Sequence, residues 1–357
     1  MKTWDAIVVG AGIIGLSLVL ELKKRGLRVL VVDKGEPGRE ASWAAGGMLC
    51  DSPLETAPAL RELATASAGM YPEFVQELQG ESGLEIDLRA VGTLVFAEAG
   101  HSSATTRIFD LPRPLAELEP ALRVSNGSGA QLTPLYVRER CVDPRDLTGA
   151  AVGAARRRGV EFASGEPVLD LVVGHGKASG VRTSKSHFAA GLVVNCAGAW
   201  AGQIGLHGIP TRPVKGQMLC VAMPRKEFVR HVVRTPDVYL IPRSDGRMVI
   251  GATSEESGFD KQMVPETIQK LRQSAIEMVP EFADAPILET WAGLRPGTPD
   301  KLPILGATRT PGYFVATGHF RDGILLAPVT AKVMGQVISG ESPEFDLTAF
   351  DPERFGS

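Results

Sequence analysis

Residues 6–15 read Ala-Ile-Val-Val-Gly-Ala-Gly-Ile-Ile-Gly, so an apolar run passes directly into a G-x-G-x-x-G turn. A continuous apolar run is typical of a strand that is buried on both faces. Residues 13–25 then repeat apolar side chains at helical spacing, Gly26 follows as a helix C-cap, and residues 29–32 form a second apolar run. The stretch therefore predicts a βαβ unit with parallel strands and a right-handed crossover.

Each glycine of the turn has its own physical task. Gly10 permits the tight turn, Gly12 lets a pyrophosphate approach the backbone, and Gly15 lets the helix pack closely on the strand. The helix N-terminus offers free N–H groups to the phosphates, and Asp33 at the end of the second strand can accept hydrogen bonds from ribose hydroxyls. The pattern predicts a dinucleotide site. By itself it does not separate FAD from NAD, and a glycine-rich turn that only packs is the alternative.

Beyond this unit the chain alternates between two kinds of pattern. Helical periodicity is followed by strands with turns between them, which indicates an antiparallel sheet, and this alternation occurs twice. We predict helices at 59–78, 146–158, 265–278 and 326–339, strands of the parallel sheet at 168–173, 192–195 and 313–316, and antiparallel strands at 92–97, 131–137 and within 214–253. The fold class is therefore α/β (α+β overall), with a Rossmann-like domain interleaved with an antiparallel β-sheet domain.

Composition excludes several classes of protein. The 357 residues are 44% hydrophobic and 22% charged with a net charge of -3, so no basic excess points to nucleic acid. The four cysteines lack C-x-x-C spacing, which argues against a metal site or a dithiol centre. No apolar run approaches the roughly 18 residues of a membrane span. An apolar strand starts within a few residues of the N-terminus and leaves no room for a signal peptide, so we expect a cytoplasmic protein.

Four further segments carry a family resemblance. They are residues 40–49 (Glu-Ala-Ser-Trp-Ala-Ala-Gly-Gly-Met-Leu), 193–200 (Val-Val-Asn-Cys-Ala-Gly-Ala-Trp), 293–300 (Gly-Leu-Arg-Pro-Gly-Thr-Pro-Asp) and 318–328 (Gly-His-Phe-Arg-Asp-Gly-Ile-Leu-Leu-Ala-Pro). Together with the first turn they resemble the glycine oxidases, within the flavoenzyme family that also contains D-amino-acid and sarcosine oxidases. The resemblance implies a fold of the D-amino-acid oxidase type, with an FAD-binding domain at 1–84, 144–213 and 296–357 and a substrate-binding domain at 85–143 and 214–295.

The resemblance also implies which residues hold FAD. None of the cysteines lies in a motif for covalent flavin attachment, so noncovalent FAD is expected. The amides of residues 319–325 would face the flavin edge where negative charge accumulates on reduction, although an ordinary helix start is the alternative. The implied FAD contacts, including the first turn, are Gly10, Gly12, Ile13, Ile14, Gly15, Asp33, Lys34, Ala41, Ser42, Gly46, Gly47, Met48, Val168, Gly198, His319, Phe320, Arg321, Asp322, Gly323, Ile324 and Leu325.

Three residues are implied as the substrate site. Arg295 is expected to anchor the substrate carboxylate, because an arginine fork matches a carboxylate bidentately. Tyr239 would add a hydroxyl donor, and Arg321 would contact the carboxylate or bound the pocket. The ordinary alternatives are surface arginines paired with acids and a tyrosine that fills a core.

The implied reaction is oxidation of glycine or a small D- or N-methyl amino acid. The α-hydrogen leaves as a hydride to flavin N5, the imino acid hydrolyses to a 2-oxo acid and ammonia, and dioxygen reoxidises the flavin to give hydrogen peroxide. A role in thiamine biosynthesis is what the resemblance suggests. A dehydrogenase that passes electrons to a quinone or carrier, and a flavin-binding protein with little catalysis, are the alternatives. The sequence leaves open whether the chain forms a homo-oligomer.

Three positions depart from the family pattern. Ser254 stands where methionine is expected and Gly46 where alanine is expected, so the pocket is predicted to be wider and to accept sarcosine or small D-amino acids. Asp322 stands where asparagine is more usual. A carboxylate beside a flavin that gains negative charge disfavours reduction unless it points away or pairs with a cation.

Overall fold

The computed structural model describes residues 3–52, 54–98, 108–123, 132–205 and 208–356. Gln131, the first residue of one predicted strand, lies outside the described residues. Within them the α-helices are α1 (Ile13–Lys24), α2 (Ala41–Ala44), α3 (Arg61–Ser82), α4 (Leu115–Leu118), α5 (Pro144–Arg157), α6 (Pro265–Met278) and α7 (Gly323–Ile338). The strands are β1 (Thr3–Val9), β2 (Val29–Asp33), β3 (Met48–Leu49), β4 (Leu88–Arg89), β5 (Thr93–Glu98), β6 (Ile108–Phe109), β7 (Leu132–Val137), β8 (Arg140–Val142), β9 (Glu161–Ser164), β10 (Val168–Gly174), β11 (Lys177–Thr183), β12 (His187–Asn195), β13 (Arg212–Ala222), β14 (Val232–Arg234), β15 (Tyr239–Pro242), β16 (Arg247–Gly251), β17 (Ile287–Gly297), β18 (Ile304–Ala307) and β19 (Tyr313–Thr317).

The first sheet is built around the predicted βαβ unit. Strands β9, β2, β1, β12 and β19 lie side by side and all pair in parallel. Their carboxyl ends therefore share one edge of the sheet, which is where ligands bind in open parallel sheets. The predicted βαβ unit and the return of the chain to the parallel sheet near residue 192 are confirmed.

The apolar run of β1 reflects burial on both faces. Ala6 and Val8 belong to a core that the sheet shares with α1, α3, α5 and α7. Ile7 and Val9 belong to a second core on the opposite face, which includes side chains of β10 and β11. All four side chains are at most 3% exposed, and burial of each of the three larger ones, the valines and the isoleucine, stabilises by about 1.5–3 kcal/mol. The fold consequently depends on both layers.

One strand was assigned to the wrong kind of pairing. We expected residues 168–173 to join the parallel sheet, but β10 pairs antiparallel with β11, and β11 pairs antiparallel with β12. The chain reverses after β10 at His175 and Gly176, which have φ of 50° and 75°. Two such residues form the tight hairpin loop that suits the twist of antiparallel strands. The correction does not move β12, which still pairs in parallel with β1 from Ala189 to Asn195.

The second sheet has eight strands among the described residues and is antiparallel at all but one of its strand pairs. Its order is β17-β13-β16-β15-β14-β5-β7-β6, and all pairs are antiparallel except β14 with β5. Strand β17 had no counterpart among the predicted elements, although it carries Arg295 and pairs with β13 over its length. The domain boundaries stay a prediction, and the one between residues 295 and 296 falls inside β17.

Helix α7 depends on α3 for its first turn. Pro328 has no N–H, so the carbonyl of Ile324 four residues earlier loses its helical donor. The Tyr71 hydroxyl of α3 donates to this carbonyl at 2.5 Å, and the Ser67 hydroxyl donates to the carbonyl of Leu325 at 2.6 Å. The helix begins at Gly323 rather than at residue 326 as predicted. None of the described helices combines the length and the apolar composition that a membrane-spanning segment requires.

We expect Gly15→Ala to destabilise the protein. A Cβ at Gly15 would overlap the carbonyl oxygen of Gly10, so helix and turn must separate, which costs about 1–3 kcal/mol in the free energy of unfolding. Gly149→Ala in α5 is the matched control, because a Cβ there meets nothing within 4 Å and alanine favours a helix by about 1 kcal/mol. Urea denaturation followed by circular dichroism compares the two variants. A Gly15→Ala midpoint at or above that of the unaltered protein contradicts the proposed contact.

Candidate cofactor and substrate site

A cavity of about 670 Å³ lies at the carboxyl edge of the parallel sheet and extends to the second sheet. Asp33, Cys196 and Thr317, from the ends of β2, β12 and β19, line one side of it. Met218 and Tyr239 line the side formed by the second sheet. The cavity therefore joins the predicted dinucleotide turn to the predicted substrate residues.

The first turn has the geometry that a diphosphate needs. Gly10 has φ of 103°, and a Cβ there would overlap the carbonyl of Cys196. A Cβ at Gly12 would instead meet only the Ser42 hydroxyl, at 3.2 Å, so packing on the backbone does not by itself require glycine at this position. Gly12 leaves open the space above the N-terminus of α1, where an anion interacts favourably with the free N–H groups. These residues fit a bound pyrophosphate.

Asp33 and Ser42 fix the backbone around this turn. The Asp33 carboxylate accepts hydrogen bonds from the amides of Ala11 at 2.7 Å and Gly35 at 2.8 Å. Burial raises the pKa of Asp33 and these two hydrogen bonds offset part of the effect. Each carboxylate oxygen keeps further acceptor capacity for a ribose hydroxyl. The Ser42 hydroxyl accepts from the amide of Ile13 at 2.9 Å and thereby caps α1.

Lys34 and Glu40, which line the cavity near Asp33, form an ion pair. Lys34 lies 2.9 Å from the Glu40 carboxylate and 3.3 Å from the ring centroid of Trp200. Lys261 donates to the other oxygen of Glu40 at 3.0 Å, so the loop before α6 contacts the segment that leads into α2. Phe259 of that loop also packs on Trp200, with ring centroids 5.2 Å apart. The sequence indicated Lys34 here, but it did not indicate its partners.

The turn before α7 presents backbone to the cavity. Phe320 has φ of 48°, and its amide donates to the carbonyl of Pro296 at 2.9 Å. Gly323 and Ile324 line the cavity, and their amides belong to the first helical turn, which has no acceptor within the helix. The His319 ring points inward to the Thr330 hydroxyl at 3.1 Å, and burial lowers the pKa of His319 to about 3. The imidazole is thus neutral, and only its backbone belongs to the site.

Arg295 and Tyr239 lie together on the face of the second sheet. The Arg295 guanidinium covers Gly216, where a Cβ would overlap it, and donates to the carbonyl of Thr253 at 3.1 Å. Burial raises the pKa of Tyr239, and the neighbouring Arg295 charge offsets part of that rise. Within the described residues Arg295 has no carboxylate partner. Its positive charge therefore remains available to an anion in the cavity.

Arg321 is placed differently from Arg295. Its side chain is 44% exposed, and its Nη1 lies 3.4 Å from the Glu55 carboxylate. Its Nη2 donates to the backbone carbonyl of Glu55. Of the two roles that the resemblance allowed, this position fits a residue that bounds the pocket.

The remaining predicted residues are placed as follows. The cavity is lined by all of them except Gly15 and Leu325. Gly15 lies beneath the turn against Gly10, and Leu325 is 1% exposed in the core. The residues at the cavity wall, including those at positions that depart from the family pattern, are Gly10, Gly12, Ile13, Ile14, Asp33, Lys34, Ala41, Ser42, Gly46, Gly47, Met48, Val168, Gly198, Tyr239, Ser254, Arg295, His319, Phe320, Arg321, Asp322, Gly323 and Ile324.

Sequence reasoning missed Cys50, Glu55 and Arg234, which also line the cavity. Arg234 offered a usable signal, because Thr-Pro-Asp at 235–237 marks a turn that places residue 234 opposite Tyr239 in a hairpin. Glu55 offered none, since it lies in a loop without periodicity. In the described part of the chain no cluster of His, Cys, Asp or Glu could hold a metal ion.

Known proteins resemble this chain along nearly its whole length. A family model described as FAD dependent oxidoreductase matches residues 5–337. A glycine oxidase of Pseudomonas aeruginosa is 35% identical over 362 residues, which cover 97% of this chain and 98% of that protein. The bifunctional protein ThiO/ThiG of Trichormus variabilis is 36% identical over 99% of this chain, which spans only 55% of that longer protein. The crystal structure of glycine oxidase from Geobacillus kaustophilus has a TM-score of 0.90 at 30% identity and 99% coverage of both chains.

We expect Asp322→Asn to stabilise the protein in a pH-dependent way. Burial raises the pKa of Asp322 from 3.8 to about 6, and Arg321 offsets only part of this rise. The carboxyl of the folded protein therefore binds its proton more tightly than that of the unfolded chain. Ionisation of Asp322 lowers the free energy of unfolding progressively between pH 4 and pH 6, and by a constant amount above pH 6. The variant should gain about 3 kcal/mol at pH 8 and about half of that at pH 5.

Urea midpoints at pH 5 and pH 8, with equal FAD present, measure this gain. Asp237→Asn is the control, because the Asp237 side chain is exposed in a turn. An Asp322→Asn gain that is equal at the two pH values would show that the carboxyl does not titrate in this window.

Proposed function

The chain belongs to the family of FAD-dependent oxidoreductases, and on this premise we propose that it oxidises glycine and other small amino acids with one carboxylate. The predicted family, fold class and class of enzyme, an FAD-dependent amino-acid oxidase, agree with the comparisons. One observation supports the proposal most strongly. A single cavity connects the diphosphate turn at Gly12 to a guanidinium and a tyrosine hydroxyl, at Arg295 and Tyr239, on the opposite sheet.

Arg295 is the proposed anchor of the substrate. Its planar fork can hold a carboxylate through two parallel hydrogen bonds, and the Tyr239 hydroxyl lies close enough to add a third. Gly216 permits this position of the guanidinium because a side chain there would occupy the same space. Binding the carboxylate at a fixed point orients the Cα–H bond of the substrate, which is catalysis by positioning.

Bound FAD supplies the acceptor for the two electrons and the hydrogen that leave Cα. The chain contributes the amides of Gly323 and Ile324, whose dipoles point into the cavity from the start of α7 and favour negative charge nearby. His319 is neutral and turned inward. The site thus favours transfer of the α-hydrogen without a general base from this histidine.

We infer noncovalent binding of FAD from the state of the cysteines. All four thiols are free and buried. Cys50 and Cys196 line the cavity, but burial raises the pKa of both thiols. A thiol that stays protonated is a weak nucleophile, so a covalent link to the flavin is disfavoured.

A substrate panel under two atmospheres tests the proposed reaction. Without oxygen, glycine, sarcosine and D-alanine are each expected to bleach the flavin absorbance, because each has the single carboxylate that Arg295 can hold and because Gly46 and Ser254 present only small groups to the cavity. In air the same substrates should release hydrogen peroxide. Bleaching without peroxide, together with dye reduction, would instead identify a dehydrogenase. An unbleached flavin with every amino acid of the panel would refute amino-acid oxidation.

Arg295→Ala is expected to weaken substrate binding by about 2–5 kcal/mol, because the carboxylate loses a half-buried charge partner. This corresponds to an increase of roughly 30-fold to several-thousand-fold in the dissociation constant of a substrate or a carboxylate inhibitor. Arg212→Ala is the control, because Arg212 is a 47% exposed residue on β13 that pairs with Glu256. Binding is measured by flavin absorbance. Unchanged affinity in Arg295→Ala with FAD still bound would remove this residue from the site.

A further inference from the structure

A carboxylate between two arginines forms part of the wall of the cavity. Glu55 lies 3.1 Å from Nη1 of Arg234 and 3.4 Å from Nη1 of Arg321. The two arginines come from β14 and from the turn before α7, and all three residues line the cavity. Glu55 thus links two separate segments at the substrate end.

The group lies next to the proposed carboxylate site. Arg234 is directly opposite Tyr239 in the antiparallel pair of β14 and β15. Residues directly opposite each other project from the same face of a sheet, with Cβ atoms about 5 Å apart. A second carboxylate on a substrate held at Arg295 and Tyr239 would therefore meet this group if it extended toward β14.

The charges of the group are already balanced by acids of the protein. Arg234 contacts Glu139 at 2.8 Å in addition to Glu55, and the side chains of Arg234 and Glu139 are both buried. Arg321 pairs with Glu55 and also lies 3.8 Å from the Asp322 carboxylate. Among the described residues, only Glu55 forms an ion pair with both arginines. Its removal would leave Arg321 with Asp322 as its acid. Arg234, whose Nη1 also donates to Cys50 Sγ at 2.5 Å, would stay buried with Glu139 as its acid.

We propose that Glu55 is a specificity-determining residue that excludes amino acids with a second carboxylate. It occupies the two guanidinium groups that such a carboxylate would otherwise engage, and its own charge repels the newcomer. This inference rests on the proposed function, because it assumes an amino-acid substrate anchored at Arg295. Discrimination between charged and neutral ligands is achieved here by a repulsive element rather than by pocket size.

The test compares isosteric substrates and ligands that differ only in the second carboxylate. In the unaltered FAD-loaded enzyme, kcat/KM for D-asparagine should exceed that for D-aspartate by about tenfold or more, because a like-charge contact is costly. In Glu55→Gln, kcat/KM for D-aspartate divided by kcat/KM for D-asparagine should rise about tenfold. In the double variant Glu55→Gln/Arg321→Gln this ratio should fall again. Glu289→Gln is the control, since Glu289 lies on β17 of the same sheet as Arg234 and pairs with Arg145 of α5, and it should leave the ratio unchanged.

A ratio near one in the unaltered enzyme, or a ratio that Glu55→Gln does not raise, overturns the proposal. The first of these results needs no variant, so it applies even if Glu55→Gln fails to fold. Calorimetric titration of the holoenzyme with succinate and succinamate measures the same discrimination without turnover. If no amino acid reduces the flavin, the proposed function fails, and the role of Glu55 is still decided by whether Glu55→Gln abolishes a weaker binding of succinate than of succinamate.

Discussion

The backbone contact between Gly15 and Gly10 is the constraint on which the cofactor end of the structure depends. Helix α1 rests directly on the turn that follows β1, and that turn rests on the carbonyl of Cys196 at the end of β12. Because neither contact leaves room for a side chain, the strand ends and the helix N-terminus meet at backbone distance. The first N–H groups of α1 consequently face a cavity that Asp33 and Ser42 border from two further segments.

The part of the cavity wall at the start of α7 is fixed by a second arrangement of the same kind, in which backbone geometry is maintained from outside the helix. Pro328 deprives the Ile324 carbonyl of its helical donor just after the start of α7. The Tyr71 hydroxyl of α3 donates to this carbonyl instead, and the Ser67 hydroxyl adds a donor to the next carbonyl, that of Leu325. A buried carbonyl without a donor costs about 1–3 kcal/mol, so Tyr71 and Ser67 stabilise α7 where it could otherwise fray. The amides at the start of this helix therefore lie at a fixed position in the cavity wall.

The arginines at the substrate end differ in how far their charge is neutralised. Arg321 and Arg234 each have carboxylate partners, whereas Arg295 contacts a backbone carbonyl and has no acid beside it among the residues that the structure describes. A guanidinium in this state attracts an anion without first having to break an ion pair. The three side chains carry the same guanidinium group, so the acids around each one decide which of them is available to a substrate.

The sequence by itself determined the βαβ unit, the glycine turn, Asp33 and a dinucleotide as the class of ligand, because these depend on local rules of periodicity and backbone space that a short segment contains. The choice of FAD came from the family resemblance. It also indicated Arg295, Tyr239 and Arg321 through a family resemblance, without separating their roles. Only the tertiary structure decided that β10 pairs antiparallel, that β17 brings Arg295 over Gly216, and that Glu55 lies between two arginines. Those features arise from pairing and charge contacts between segments far apart in the chain, and no local pattern encodes which distant partner a side chain will meet.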